Sequence, residues 1–266
     1  MLTYPEISPV AFHLFSWPVH WYGLMYLVGF LAGWGVLALR EHYSPHGFTK
    51  EQISDVVFYT ALGAIIGGRL GYMFFYDWPL LLENPWLVFQ TWKGGMSFHG
   101  GLLGVLVAMI IFAKKHKKRF LELTDFIAPV VPIGLGAGRI GNFINSELWG
   151  RVTDSSFGMI FPNGGPMPRH PSQLYEFSME GVLMFVILFA YAWKPKPMGA
   201  VSGLFALLYG IFRCTAEFFR EPDIQIGYLF GGMTEGQLLS LPLIVVGILL
   251  LVYAYKKRGM KHETIS

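Results

Sequence analysis

Seven runs of roughly 20 apolar residues, each long enough to cross a bilayer as a helix, constrain this chain more than any other feature. They are read at Trp21–Leu39, Ile53–Tyr76, Met96–Ala113, Leu121–Ile144, Gln173–Trp193, Gly199–Phe219 and Gly236–Tyr255. In hydrocarbon every backbone polar group must be satisfied internally, so uninterrupted runs of this kind fold as helices. Composition agrees. Charged residues are 14% of the 266, against about 25% in a soluble domain. The expected fold class is an all-α integral membrane protein with seven transmembrane helices. An odd number of spans cannot divide into equal halves, and no internal repeat is evident.

Orientation follows from the loops. Arg40 and Lys50, the run Lys114-Lys-His-Lys-Lys-Arg119, Lys194 and Lys196, and the cluster Lys256, Lys257, Arg258 and Lys261 all fall on one side of such a topology. Lys93, Arg151, Arg169 and Arg220 fall on the other. The excess marks the cytoplasmic face, which places the N-terminus outside (periplasmic) and the C-terminus in the cytoplasm. The run Lys114–Arg119 therefore reads as a topology signal; no recognition fold accompanies it, so nucleic acid is not an expected partner. The start, Met1-Leu-Thr-Tyr-Pro-Glu-Ile7, has neither a basic nor an apolar signal region, so insertion is expected to rely on the first span. One cysteine, Cys214, excludes an internal disulfide. The chain reads as one polytopic membrane domain, 1–266. Its long Gly-, Pro- and Asn-rich stretch, 145–171, forms a small outward-facing head between spans four and five.

The fourth span runs into Gly134-Leu-Gly-Ala-Gly-Arg-Ile-Gly-Asn-Phe-Ile-Asn-Ser-Glu-Leu-Trp-Gly150. Gly136–Gly141 matches the G-x-G-x-x-G dinucleotide fingerprint, but the apolar run before it contains Pro129 and Pro132 and no βαβ pattern surrounds it, so a dinucleotide site is rejected. Gly134, Gly138 and Gly141 instead offer a smooth helix face for a second backbone or a ligand. Arg139 and Asn142, three apart, share a face. At 1.5 Å per residue, Arg139 lies roughly 27 Å along a core about 30 Å thick, Arg69 roughly 24 Å and Arg213 roughly 21 Å. His99, Tyr22 and Glu176 fall at the outer ends of their spans. Charged groups inside a membrane usually bind or react, and their clustering in the outer half places a site there. Arg139 and Arg213 carry planar forks suited to a phosphate, and Arg69 joins them as a substrate-binding candidate by depth. Glu217, four after Arg213, and Glu147, eight after Arg139, are candidates to hold those arginines; a purely structural pairing is the alternative. A histidine side chain has a reference pKa close to neutrality, which suits His99 to the role of a base, or it packs as an interfacial side chain. Tyr22 belongs first to the aromatic belt.

These pieces together resemble one family. His20-Trp-Tyr-Gly-Leu-Met-Tyr26, Gly67-Gly-Arg-Leu-Gly-Tyr72, Gly94-Gly-Met-Ser-Phe-His-Gly-Gly101, the stretch Gly134–Gly150, Arg169-His-Pro-Ser-Gln-Leu-Tyr-Glu176 and Phe212-Arg-Cys-Thr-Ala-Glu-Phe-Phe-Arg220 are similar, in order, to bacterial prolipoprotein diacylglyceryl transferases. Ser146 departs from the glycine expected in many members. The resemblance implies transfer of the diacylglyceryl group of phosphatidylglycerol to the lipobox cysteine of a prolipoprotein, the first step of lipoprotein maturation. It implies a multi-pass protein of the bacterial cytoplasmic (inner) membrane, active toward the periplasm, with no metal and no organic cofactor. It also implies functional roles for His99, Arg139, Asn142, Glu147, Gly150, Arg213 and Glu217, with Tyr22 in support.

The residue chemistry fits that activity. A thiol attacks only as thiolate, and His99 is favoured as the base because arginine is not deprotonated. Arg139 and Arg213 are placed to stabilise a departing phosphate, where charge accumulates. A transporter of anionic lipid would use the same arginines without His99. It would be expected to show paired repeats and broken helices in corresponding halves, and neither is found.

Overall fold

The computed structural model describes residues 2–91, 94–222 and 227–263. Among the described residues, seven helical stretches are long and apolar enough to cross a membrane: Trp21–Tyr43, Lys50–Phe75, Phe98–Lys115, Phe120–Ile144, Ser172–Ala192, Ala200–Glu217 and Glu235–Lys257. Each overlaps an apolar run read from the sequence. Burial is inverted relative to a soluble protein. Leu27, Leu31, Ile65, Ile66, Ile110, Ile111, Val245 and Leu249 are exposed, whereas Arg40, Glu176, Glu180 and Glu217 are buried. An apolar exterior around a polar interior suits a lipid surround. The chain therefore has the all-α membrane architecture.

Contacts group the chain into two compact units, Glu41–Leu123 on one hand and Met1–Arg40 with Thr124–Ser266 on the other. In Glu41–Leu123, helices α2 (Lys50–Phe75) and α4 (Phe98–Lys115) lie antiparallel. Thr49 and Gln52 close a reciprocal capping box at the start of α2, which satisfies two amide donors that a helix start would otherwise leave open. The two helices approach through glycines: a Cβ at Gly71 would meet Gly100 Cα at 2.7 Å, and one at Gly67 would meet Gly104 Cα at 2.7 Å. Side chains are excluded from that seam, so backbone packing rather than hydrophobic burial holds it. The connection between them contains the short helix α3 (Trp78–Glu83) and a 3-10 turn at Pro85–Phe89. The sequence reading assigns neither.

The second unit holds helix α1 (Trp21–Tyr43) as far as Arg40, then the rest of the chain from Thr124. Span four is not one helix. It runs as α5 (Phe120–Ile127), a 3-10 turn at Ala128–Val130 and α6 (Val131–Ile144). Pro132 has no N–H to give the Ala128 carbonyl, and Pro129 none for Asp125, so the α ladder fails there. The break is stitched from outside. Arg40 donates to the Phe126 carbonyl at 2.7 Å and to the Ala192 carbonyl at 3.1 Å, the latter at the end of α8 (Met184–Ala192). Asp125 caps α9 (Ala200–Glu217), accepting from Gly199 N–H at 2.6 Å and Ser202 N–H at 2.8 Å. Helix α7 (Ser172–Glu176) passes into a π-helical segment, Phe177–Leu183, before α8. Helix α10 (Glu235–Glu263) packs on α9.

Outside the spans, residues 145–171 form a cap that recruits the N-terminus. Strand β1 (Leu2–Thr3) pairs in parallel with β4 (Met159–Ile160), and Tyr4, Phe143, Met159 and Phe161 make a small core beneath them. Arg169 fastens the cap, reaching Gly164 O at 2.8 Å and Glu221 at 3.1 Å, with its guanidinium 4.0 Å over the Trp149 ring. Before α1, β2 (Val10–Leu14) and β3 (Trp17–His20) form a hairpin that the sequence reading does not contain.

Candidate active site

The polar interior of the larger unit centres on one carboxylate. Glu176, 1% exposed, ends α7 where the helix widens into the π segment. Its Oε1 accepts from Arg213 Nη1 at 2.7 Å, and its Oε2 lies 2.7 Å from Arg139 Nε. Arg220 Nη1 stands 3.8 Å from Oε1. Arg213 Nη2 donates to Glu217 Oε1, and Arg139 Nη2 stands 3.6 Å from Glu180 Oε2. Three arginines are thus matched by three glutamates. Unpaired charges at this burial would each cost several kcal/mol, so the balance is a condition of the fold.

The glycines of the organising stretch explain how the arginine arrives. A Cβ at Gly136 would meet Gly181 Cα at 3.1 Å, so α6 runs backbone-to-backbone against the π segment. Arg139, one turn further, then faces Glu176 and Glu180. Close approach at Gly29, where a Cβ would meet Gly134 Cα at 3.1 Å, seats α1 on the other side of α6. Tyr22 follows from that crossing. Its ring rests on Gly141, where a Cβ would come within 2.7 Å of Tyr22 Cδ2, and its hydroxyl meets that of Tyr26 at 3.3 Å.

Glu147 has partners other than the expected arginine. It accepts from Asn142 Nδ2 at 2.8 Å and Asn145 Nδ2 at 3.3 Å, while Gln173 donates to its backbone carbonyl at 2.6 Å. Arg139 has gone to Glu176 and Glu180 because α6 turns its Arg139 face onto the π segment. Glu217 does hold Arg213, and a Cβ at Gly236 would lie 2.6 Å from Glu217 Cδ, so α10 leaves room for that carboxylate. Gly150 is a crossing point. Its N–H bonds to His170 O at 2.8 Å, and a Cβ there would meet that same oxygen at 2.7 Å. His170 lies outside the spans, hydrogen-bonded to the Tyr175 hydroxyl at 3.1 Å, and burial lowers its pKa.

Arg69 and His99 belong to the other unit. Arg69 is 5% exposed, and its donors face the carbonyls of Leu87, Val88, Gly94 and Gly95. Its donors are thus taken up by backbone carbonyls of its own unit. The side chain ties α2 to the segment that leads into α4, and desolvated carbonyls there satisfy the guanidinium. His99 is exposed in the first turn of α4, whose N-cap Ser97 accepts from Gly100 N–H at 3.2 Å. Of the sequence-derived candidates, Arg139, Arg213 and Glu217 converge on one network, and Asn142 and Glu147 pair beside it. Glu180 and Arg220 were missed, and so was the central position of Glu176. The available signal was Glu176 and Glu180, two carboxylates four apart in an apolar span, which together demand cations.

The sequence profile of the prolipoprotein diacylglyceryl transferase family matches residues 9–253. The chain belongs to this family. A phosphatidylglycerol–prolipoprotein diacylglyceryl transferase of Pseudomonas paraeruginosa is 57% identical over 258 residues, covering 97% of both chains. Another from Coxiella burnetii is 57% identical over 259 residues, covering 97% of this chain and 99% of its own. That of Pseudomonas aeruginosa is 57% identical over 258 residues. Matches of this length take in both compact units, so Glu176, the π segment and the cap all lie within the transferase family's matched region.

Proposed function

We propose that this protein transfers the diacylglyceryl group of phosphatidylglycerol to the thiol of the lipobox cysteine in prolipoproteins. In this reading the cysteine sulfur forms a bond to the glyceryl carbon, the bond from that carbon to the phosphate oxygen breaks, and glycerol phosphate leaves. The thiol proton passes to His99. Arg139 and Arg213 bind the phosphate and stabilise it as its charge grows. Such donors act well when already oriented, because no reorganisation is then needed during reaction. The observation that carries the reading is the anchoring of both guanidinium groups on the two oxygens of the buried Glu176, with each arginine side chain still 17% or 14% exposed. Tyr22, Asn142, Glu147 and Gly150 shape the approach on the same side of the spans, and Glu217 holds Arg213.

The reading also places the protein in the bacterial cytoplasmic membrane, with the cap 145–171 and the site toward the periplasm. The bias of lysine and arginine in the loops supports that orientation. A reporter fused after Lys117 is expected to be active only in the cytoplasm and one fused after Gly164 only outside; the reverse pattern defeats the orientation. For the reaction, purified protein is mixed with phosphatidylglycerol vesicles and a lipobox peptide, and the peptide mass is followed. A gain of one diacylglyceryl group is expected. Lipid translocation with no mass gain would instead establish a transporter.

A further inference from the structure

Glu180 is a carboxylate inside a membrane-spanning stretch, Ser172–Ala192, and the proposed reaction leaves it without a task. It is 0% exposed, and its two oxygens are sealed and make no hydrogen bond among the described residues. No substrate can touch it. A buried carboxylate is costly, and inside a membrane such a group marks function. Glu180 lies in the π segment Phe177–Leu183, a helix form found most often at functional sites. Gly181, next to it, holds this turn against α6, because a Cβ there would meet Gly136 Cα at 2.9 Å. Across that contact Glu180 faces Arg139, whose Nη2 stands 3.6 Å from its Oε2. Whatever Glu180 does, it does through Arg139.

The two arginines of the site meet their carboxylates with different edges. A guanidinium is planar and rigid, with one pair of donors along its side, Nε and Nη2, and another across its end, Nη1 and Nη2. Arg213 uses its end: Nη1 donates to Glu176 Oε1 at 2.7 Å, and Nη2 donates to Glu217 Oε1. Arg139 uses its side: Nε is 2.7 Å from Glu176 Oε2, and Nη2 is 3.6 Å from Glu180 Oε2. Arg139 Nη1 has no partner among the described residues and, unlike the Glu180 oxygens, is not sealed off. We propose that Glu180 is a positioning residue for Arg139. Held by Glu176 alone, the planar group could swing about its Nε contact. A second carboxylate beside Nη2 fixes the plane, so the end pair Nη1 and Nη2 stays free for the phosphate. The inference rests on the transferase reading and deepens it: Arg139 meets the phosphate through the end of its fork, whereas Arg213 has only its side left to offer.

The test is lipidation of a lipobox peptide by the full-length protein in nanodiscs of graded phosphatidylglycerol content, with thermal unfolding measured on the same samples. Glu180→Asp keeps the charge balance but draws the carboxylate back by one methylene. Turnover should fall roughly 10- to 100-fold, the scale of a misplaced catalytic group. Apparent phosphatidylglycerol affinity should stay within about threefold, since the loss falls on the transition state, and the unfolding temperature should stay close to that of wild type. The loss should also depend on which arginine is present. In an Arg139→Lys background, which has no fork to orient, Glu180→Asp should cost less than about twofold further; in an Arg213→Lys background the full loss should persist. Where Glu180→Asp yields no folded protein, Glu180→Gln enters the same cycle with the same dependence on Arg139. Turnover by Glu180→Asp within about twofold of wild type would overturn the inference, since charge balance alone would then suffice. Equal losses in both arginine backgrounds would overturn it too, and reduce Glu180 to a support of the fold. Absence of lipidation by wild type would defeat the transferase reading and this inference with it, whereas lipidation by wild type with either of the two preceding outcomes defeats this inference alone.

Discussion

Arg69 and the pair Arg139–Arg213 look alike in the sequence, each an arginine in the outer half of an apolar span. The structure treats them oppositely. Arg69 faces four uncharged backbone carbonyls, a complete and local arrangement that ends within its own unit. Arg139 and Arg213 meet on one buried carboxylate, with further glutamates behind. Carbonyls merely satisfy a guanidinium. Carboxylates hold it in place while keeping the cluster near neutrality. Depth in the membrane therefore does not separate the two kinds of arginine; the charge of their partners does.

The largest expected effect tests what the Arg69 side contributes to chemistry. If its functional group is His99, His99→Gln should lower turnover by about 10²–10⁴-fold, with phosphatidylglycerol affinity retained. Near-normal turnover would leave that unit with a structural role only. Next comes the shared carboxylate. Glu176→Ala leaves two close arginines without their common partner, and a broken buried pair costs about 3–5 kcal/mol; thermal unfolding in detergent reads this directly. A loss below 1 kcal/mol would show that the cluster is not the anchor described above.

The arginines themselves come third. Arg139→Ala and Arg213→Ala should each lower peptide lipidation by about 10²–10³-fold, and the double variant by less than the product, because both act on one phosphate. Arg139→Lys keeps charge but not the fork, so it should bind lipid and turn over poorly. Fully multiplicative losses would mean two separate sites. The smallest effect belongs to Arg69. Arg69→Lys should cost about 1–3 kcal/mol of stability, from carbonyls left short of donors, with phosphatidylglycerol affinity unchanged within twofold. A specific loss of lipid binding there would erase the contrast between the two environments.

Much of the fold was legible because a bilayer-crossing run of apolar residues leaves few alternatives. Span four shows the limit. Its hydrophobicity reads as one helix, while Pro129 and Pro132 break it at Ala128–Val130. The β2–β3 hairpin escaped notice because Pro18 lies within it and no glycine turn marks it. In the site, Arg213 and Glu217 were legible as a pair four apart on one helix. Glu176 was not, since its partners come from other helices and sequence spacing carries no such information. The pairing proposed for Glu147 failed for the same reason: which way α6 turns Arg139 is set by the contact of Gly136 with Gly181, a tertiary event.

The π segment Phe177–Leu183 separates Glu176 from the regular helix that follows and contains Glu180. A wide turn of this kind is a matter of phase. It holds extra chain within one turn, so every residue after it is rotated about the helix axis relative to an unbroken α-helix. Winding this segment back to ordinary pitch with its length unchanged would swing α8 by about 100°. Leu188 and Ala192, now buried against Val201, would leave their core, and the Ala192 carbonyl would turn away from Arg40. This part of the chain can absorb many exchanges of one side chain for another. Its length, in contrast, is tied to its pitch: a chain one residue shorter here keeps α8 in phase with Glu176 only if the wide turn is lost with that residue.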